Sequence, residues 1–596
     1  MSIDIKTLHL RICLGAIALM ATIPFLMAHH YHPIPSFFQE WVAAAFSLIA
    51  LTALLRRPQG APLEVPDIAL LPVGLMLIAV IQWLFHTEPL TDRLLMFGVY
   101  MVWTIFLIIL GRHLAKTVGL TTVVDVLATA LVIGTLLESL TGAVQLAGMA
   151  RMPWFFPAIP GGLRGNLAQP NNFADYLWVG VASVIYLRGR GLLGNASAVL
   201  GLSILLPFGV LSGSRSIWLY GAALMAMSLV WTWKASDLPA KTLRNWSIGV
   251  LVGSVLFQVL FNETKDLWNV VTSGTRMAEQ SYDPIRVVLW RMAVDGFLEN
   301  PWLGVGFGQY TRYFHLHVFN VMPFHLPGLP ENAHNILLQL LVEMGMAAGA
   351  LLLVFSARWA LGIVRTHLTP QIWWVGAVAM VLGIHANLEY PLWYGFFLAI
   401  AALVAGAASP SNHVLQVGRA APYILAAFLV LSGLALNNLY RDYGLLEDAL
   451  NGRIAASSPA ERQEKTEQAL RQLADESLLR PYVDFAVANI MPVDRNALDI
   501  KLQNCERAQH FSASREIVFK CAHLLALAGK DEDSRQALKL AVASYPDTAP
   551  LVLAQWKKLA LTDPAVARLV ADFPTAPGIA APVSGSSVQQ APANQR

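Results

Sequence analysis

Thirteen runs of mostly apolar residues follow one another through the first 440 positions. They lie near 9–28, 41–55, 68–86, 94–111, 122–148, 173–187, 195–211, 216–233, 246–261, 334–357, 372–388, 391–408 and 421–438. Most approach the roughly 20 residues that a helix needs to cross a bilayer, where the backbone amides must pair internally because no water reaches them. The first run continues into His29, His30 and His32 without a small-residue cleavage site, so it reads as a retained span. Charge marks where the pattern stops: Asp, Glu, Lys and Arg make up 42 of the first 440 residues but 37 of the last 156. The whole chain is 56% apolar and 13% charged, against about 45–50% and 25% in ordinary soluble proteins. A one-domain soluble enzyme is excluded.

The expected fold class is therefore all-α, a polytopic transmembrane helical bundle of about 13 spans followed by a helical soluble domain. The domains read as 1–438 in the membrane, 439–575 in water, and a tail, 576–596, of Ala, Pro, Ser and Gln that cannot bury a core and should be disordered. Lys and Arg decide the orientation. Fourteen of them, among them Arg56, Arg57, Arg112, Lys116, Arg188, Arg190 and Arg358, fall in connections on one side. The opposite short loops hold only Arg93, Arg151, Arg164 and Arg215. The positive-inside rule puts the first set and the N-terminus in the cytoplasm. An odd number of spans then carries the C-terminal domain outside, in a bacterium into the periplasm.

The outer face also receives the two longest interruptions, 149–172 and 262–333. Loops of that length in compact proteins are functional or disordered, and the second is too rich in Trp, Phe, Tyr, His and Gly for disorder. Within it Asp283-Pro284 predicts a helix start and Asn300-Pro301 a stop. Ile285, Val288, Leu289, Met292 and Gly296 give that helix an apolar face, which reads as lying on the outer leaflet. In the soluble part, Ser514 to Tyr545 predicts a helix pair broken at Gly529, a degenerate tetratricopeptide-like unit of the kind that binds partners or braces a domain. Cys505 and Cys521 flank a turn there. They are either bridged, as an oxidising periplasm allows, or two buried thiols.

Several functions are disfavoured. A net charge of +3 with scattered basic residues does not suit nucleic acid. The spans are nearly free of charge at their centres, which argues against a charge-coupled transporter. No cofactor and no metal are expected. Gly304, Gly306 and Gly308 mimic a phosphate loop without a preceding strand. His315, His317 and His325 lack a carboxylate partner at helical spacing. Ser214 is not in a nucleophile elbow.

The informative polar groups sit at the outer ends of spans: Arg164, Gln169, Asn171 and Asn172; Ser212-Gly213-Ser214-Arg215; Arg286; Glu331-Asn332-Ala333-His334-Asn335; and His385 with Glu389-Tyr390. Two arginines match phosphate oxygens and a histidine can take a proton near neutral pH. Together they suit a lipid-linked phosphate or pyrophosphate whose leaving group needs stabilising. The dull alternatives are a backbone-bonded histidine for His334, a snorkelling Arg215, a headgroup-facing Arg286, an interfacial aromatic for Tyr390, and turn closure for Gln169 and Asn172.

The ordered set 165–172 (GNLAQPNN), 211–215 (LSGSR), Arg286 with Trp290, 300–306 (NPWLGVG), 333–335 (AHN) with Gln339, Glu343 and Gly345, and 388–394 (LEYPLWY) closely resembles the bacterial O-antigen ligase and polymerase superfamily. More narrowly it resembles the pilin-type protein O-oligosaccharyltransferases, over nearly the whole chain. The resemblance implies a metal-independent glycosyltransferase of the inner membrane, moving a glycan en bloc from undecaprenyl pyrophosphate to Ser or Thr of pilin-like or other exported proteins. It implies His334 as the essential histidine, Arg215 and Arg286 on the pyrophosphate, and Gln169 and Tyr390 as further residues needed for transfer. Arg164, Asn172, Asn335 and Glu389 are possible glycan or acceptor contacts. The rivals are a ligase acting on lipid A core, an O-antigen polymerase and, from another class, a polytopic transporter.

Overall fold

The structure, a computed structural model, describes residues 5–58, 61–85, 91–150, 152–159, 161–235, 237–264, 270–279, 284–321 and 328–574. Asp283, Arg151, His325 and the 576–596 tail lie outside the described residues. The first nine helices are α1 Ile5–Met20, α2 Phe37–Leu51, α3 Leu70–Phe85, α4 Thr91–Val118, α5 Leu120–Leu146, α6 Pro170–Gly189, α7 Asn195–Leu211, α8 Ser216–Lys234 and α9 Leu238–Glu263. Next come α10 Ser273–Glu279, α11 Pro284–Glu299, α12 Tyr310–Leu316, α13 Ile336–Arg365, α14 Pro370–Ala386, α15 Gly395–Ala407 and α16 Ala421–Leu450. The remainder are α17 Pro459–Glu476, α18 Arg480–Ile490, α19 Leu498–Phe511, α20 Arg515–Leu527, α21 Asp531–Ser544, α22 Ala549–Leu559 and α23 Pro564–Ala571.

The chain is an all-α polytopic membrane protein. Each of the thirteen apolar runs coincides with a helix, and among the described residues nine helices are long and apolar enough to cross a membrane. The helices α7, α14 and α15 are apolar but shorter. One further helix, α6, opens with Asn171, Asn172 and Asp175 and is buried along nearly its whole length. A small departure from all-helix is the antiparallel pairing of Leu63–Pro66 with Asn412–Leu415. Beside it Glu64 pairs with Arg112 at 2.7 Å and Asp67 with Arg358 at 3.0 Å.

Two compact units are distinguished. The first comprises the described residues up to Tyr310 and from Glu331 to Val483; the second comprises Thr311–Pro330 and the described residues from Asp484 onward. The core of the first is built on α6, where Tyr176, Leu177, Trp178 and Val181 are shielded from solvent.

Two segments are fixed there, the first by a buried carboxylate that the apolar spans concealed. Glu138 on α5 accepts the Leu167 amide at 3.0 Å, and Gln145 takes the Gly165 amide at 3.0 Å and gives back to the Gly165 carbonyl at 2.7 Å. The 165–167 turn is thereby fixed ahead of α6. Asn166 completes it, donating to the carbonyls of Leu26 and Trp154.

The 300–306 segment lies along a break in α13. Gly345 there has φ +76°. The Val305 and Gly306 amides bond to the Val342 and Glu343 carbonyls at 2.8 and 3.1 Å, and the Met346 amide bonds back to Pro301. A Cβ on Gly345 would stand 2.3 Å from the Trp302 carbonyl oxygen, so only glycine allows this approach. The Gly304–Gly306 run is thus occupied in packing rather than held open as a phosphate loop.

The helix expected on the outer leaflet is α11. Leu289, Met292, Ala293 and Gly296 are indeed its buried side, but that side is docked on α13 within the bundle. An amphipathic pattern gives the face and not what covers it. Arg291 and Asp295 pair across one turn at 3.8 Å, as the spacing predicts.

In the second unit α20 and α21 form the expected helix pair, with Gly529 at φ +73° between them. The α20 helix is buried on two sides: Ile517, Cys521 and Leu524 on one, Val518, Phe519, Ala522 and Ala526 on the other. Cys505 and Cys521 are joined in a disulfide with Cα atoms 5.7 Å apart. His315 bonds Ser544 at 2.7 Å and His317 bonds the Tyr313 carbonyl at 2.9 Å.

Candidate active site

The turn before α13 sets the geometry of the site. Asn335 is the N-cap and its side-chain oxygen accepts the Leu338 amide at 3.0 Å, while Gln339 reaches back to accept the Ala333 amide at 2.6 Å. Between these two clamps His334 is held at φ +52°, a conformation few side chains adopt outside sites where the surroundings impose it. Its ring stands edge-on to Tyr390, centroids 5.2 Å apart.

Glu389 follows the last turn of α14 and is almost completely buried. Its Oε2 lies 2.8 Å from Nδ1 of His334, a close charge contact in which the ring N–H is not well aligned with the oxygen. Oε1 accepts from Arg286 of α11 and from Asn171 of α6, both at 2.9 Å. One carboxylate therefore ties together three segments far apart in sequence. Burial alone would raise its pKa, but the contact with His334 and the positive charge of His334, Arg286 and His385 hold it below the ordinary carboxylate value. Tyr390 moves the other way: burial, then the negative charge of Glu389 and Glu331, raise its pKa and keep the phenol a neutral donor.

A pocket of about 180 Å³ opens beside this cluster, lined on its polar side by Asn171, Arg215, Arg276, Arg286, His334 and Glu389. Arg215 enters from the end of the 211–215 turn, directly before α8. That turn is fastened to the 149–172 loop by the Leu163 amide, which bonds the Leu211 carbonyl at 2.9 Å. Three guanidinium groups against one carboxylate make the pocket a receptor for an anion with several oxygens.

The structure thus brings Arg215, Arg286, His334 and Glu389 together at one pocket and sets Tyr390 edge-on to the histidine. It places the other candidates around it. The side-chain oxygen of Gln169 caps α6 through the Asn172 amide at 2.6 Å, leaving its amide nitrogen as the part able to donate to a ligand. Asn172 is buried in the same turn. Asn335 caps α13 and also donates to the Asn387 carbonyl at 3.3 Å. Arg164 does not line the pocket; burial and the charge of nearby Arg276 lower its pKa.

One pocket residue was missed and another was named without a role. Arg276 sits on the short helix α10, where the signal was only the capping run Thr272-Ser273-Gly274-Thr275; the Thr272 amide does bond the Thr275 hydroxyl at 3.0 Å. Asn171 was grouped with its loop but not singled out from its neighbours, although it is the member that reaches Glu389.

The family model described as O-Antigen ligase matches residues 200–354, the stretch that holds Arg215, Arg276, Arg286 and His334. The family model described as Virulence factor membrane-bound polymerase, C-terminal, matches residues 373–559, which include Glu389 and Tyr390. Over 455 residues, 74% of this chain and 78% of the relative, the sequence is 26% identical to the General O-oligosaccharyltransferase of Acinetobacter baylyi. Over 251 residues, 41% of this chain and 44% of the relative, it is 22% identical to the ComP-specific O-oligosaccharyltransferase of the same organism.

Proposed function

We propose that this chain, a membrane-embedded oligosaccharyltransferase of the O-antigen ligase superfamily, takes a preassembled glycan from undecaprenyl pyrophosphate and transfers it en bloc to Ser or Thr of pilin-like or other exported proteins. The observation that carries this reading is the meeting of three arginines with a histidine–carboxylate couple at one pocket.

The chemistry follows from the charges. With Nδ1 of His334 turned to Glu389, Nε2 is the ring atom left to accept a proton. The acceptor hydroxyl oxygen attacks the anomeric carbon as its proton passes to Nε2. The bond from that carbon to the pyrophosphate oxygen breaks, and its electron pair leaves on the phosphate. Arg215, Arg276 and Arg286 meet the charge that grows there, so this reading needs no metal. Direct displacement inverts the sugar carbon. Arg286, which already holds Glu389, is shared between that carboxylate and the donor. Tyr390, Arg164 and the amide of Gln169 are assigned to the glycan; Asn335 serves by capping α13, and Asn172 is buried in the turn that Gln169 caps.

On this reading the chain lies in the bacterial inner membrane, with this site and the C-terminal helices periplasmic. The excess of Lys and Arg in the opposite connections supports that orientation, and the Cys505–Cys521 bond suits an oxidising compartment. A second reading, extension or attachment of glycan on a lipid acceptor, is favoured by the polymerase family model over 373–559. Proteoliposomes given undecaprenyl-linked glycan with either a pilin-like protein or lipid A core separate the two. Glycan mass added to the protein is the expected result; mass added only to the lipid contradicts it.

A further inference from the structure

Beneath the pocket α6 and α14 pack along one another through two polar rungs. Asn171 donates to Glu389 at 2.9 Å, and one turn deeper Asp175 faces His385 at 3.3 Å between Oδ2 and Nδ1. Asn171 and Asp175 are four residues apart on α6, while His385 lies in the last turn of α14 and Glu389 just past its end, so the two contacts lie one turn apart. The deeper rung has no access to solvent at all. Neither its carboxylate oxygens nor its ring nitrogens make a well-aligned hydrogen bond among the described residues, and the buried Tyr220 hydroxyl of α8 stands beside Asp175. A buried ionisable pair so poorly satisfied is a weak source of stability, since apolar residues of similar size serve a fold as well or better. Its place instead bears on Glu389: the Glu389 amide bonds the His385 carbonyl at 2.8 Å, so wherever His385 is held, Glu389 begins.

We infer that Asp175 and His385 are positioning residues for transfer, a buried rung that sets the Glu389 carboxylate between His334 and Arg286. This rests on the functional reading above. Asp175→Asn, and separately the apolar pair Asp175→Leu with His385→Phe, which removes the buried ionisable groups altogether, are compared with wild type in proteoliposomes. Both are expected to lower kcat about 10- to 100-fold, the scale of a small misplacement in an active site, with the donor KM within about twofold. Placed in a Glu389→Gln background, Asp175→Asn should cost nothing further, because the group it acts through is already gone. A loss of equal size in that background, or unchanged kcat in the apolar pair, overturns the inference. Labelling of Glu389 by a hydrophobic carbodiimide, read by peptide mass, needs no turnover. It should rise several-fold in both variants, and equal labelling overturns the inference even if wild type proves inert toward the glycan donor, an outcome that would count against the functional reading alone.

Discussion

Nδ1 of His334 lies 2.8 Å from Oε2 of Glu389, while the other oxygen of that carboxylate is held by Arg286 and Asn171. The histidine is thus oriented by a charge that is itself anchored from two other helices. A base placed this way needs no rearrangement of its own ring to receive a hydroxyl proton.

Glu389→Gln should keep the shape of this cluster and lose its charge. Transfer is expected to fall about 100-fold, the contribution typical of a positioned base. The pH dependence has a definite sign. A carboxylate whose folded pKa is depressed contributes stability in full above its unfolded value, here near 4.5, and loses it as the pH falls through the lower folded value. Thermal melts of wild type and Glu389→Gln in detergent should therefore still differ at pH 4.5 and converge only below it. Convergence already at pH 6 contradicts the assignment.

Arg276→Ala should weaken donor binding. Loss of one charge-assisted contact at a partly exposed site corresponds to about tenfold in KM, with kcat changed less. Steady-state kinetics against donor concentration test this. An unchanged KM would remove Arg276 from the anion site.

The apolar helices were legible in the sequence because lipid exposure leaves a compositional trace: each of the thirteen runs has its helix, nine of them among the described residues long and apolar enough to span. His334, Arg215 and Arg286 were legible as residue types suited to phosphate and proton chemistry, and the motifs around them ordered the set. The meeting point was not. Glu389 is joined to residues 55 to 218 positions away, and no local pattern records that. Asp175 and Glu138 escaped because a single acid in an apolar helix reads the same whether it faces lipid, water or a loop amide. The docking of α11 escaped for a related reason: its apolar face would look alike against a membrane or against α13.

Gly345→Ala tests the break in α13. The side chain would have to adopt φ +76° and overlap the Trp302 carbonyl, costing about 2 kcal/mol for the backbone before any overlap. The expected result is little or no monodisperse protein by fluorescence-detected size exclusion. Normal yield would mean that the 300–306 segment does not pack on the break.

The Cys505–Cys521 bond closes a sequence separation of 16. Such a loop stabilises by roughly 3 kcal/mol. Cys505→Ser with Cys521→Ser should lower the denaturation midpoint of the C-terminal helices to that of reduced wild type, while reductant leaves the variant unmoved. A midpoint in wild type that ignores reductant contradicts the pairing.

Asp563 ties the second unit together by capping α23 through the Ala565 amide and by pairing with both terminal nitrogens of Arg495, at 2.7 and 3.0 Å. The Arg495 guanidinium and the cap lower its pKa to about 2. Asp563→Ala should raise hydrogen exchange in 564–571 about fivefold at pH 7, the effect of losing an N-cap of about 1 kcal/mol. That gap should shrink between pH 3.8 and about 2, where the wild-type carboxylate takes up its proton. A gap that is constant across that range contradicts the assignment.

The most direct test of the central claim follows the acceptor itself. Cells making an undecaprenyl-linked glycan and a pilin-like acceptor are given wild type or His334→Ala at equal membrane levels, and the intact mass of the acceptor is measured. The account predicts glycan mass on the acceptor with wild type and none with His334→Ala. Equal modification with both would contradict it, because the pocket would then be doing its chemistry without the residue that Glu389, Arg286 and Asn171 are arranged to serve.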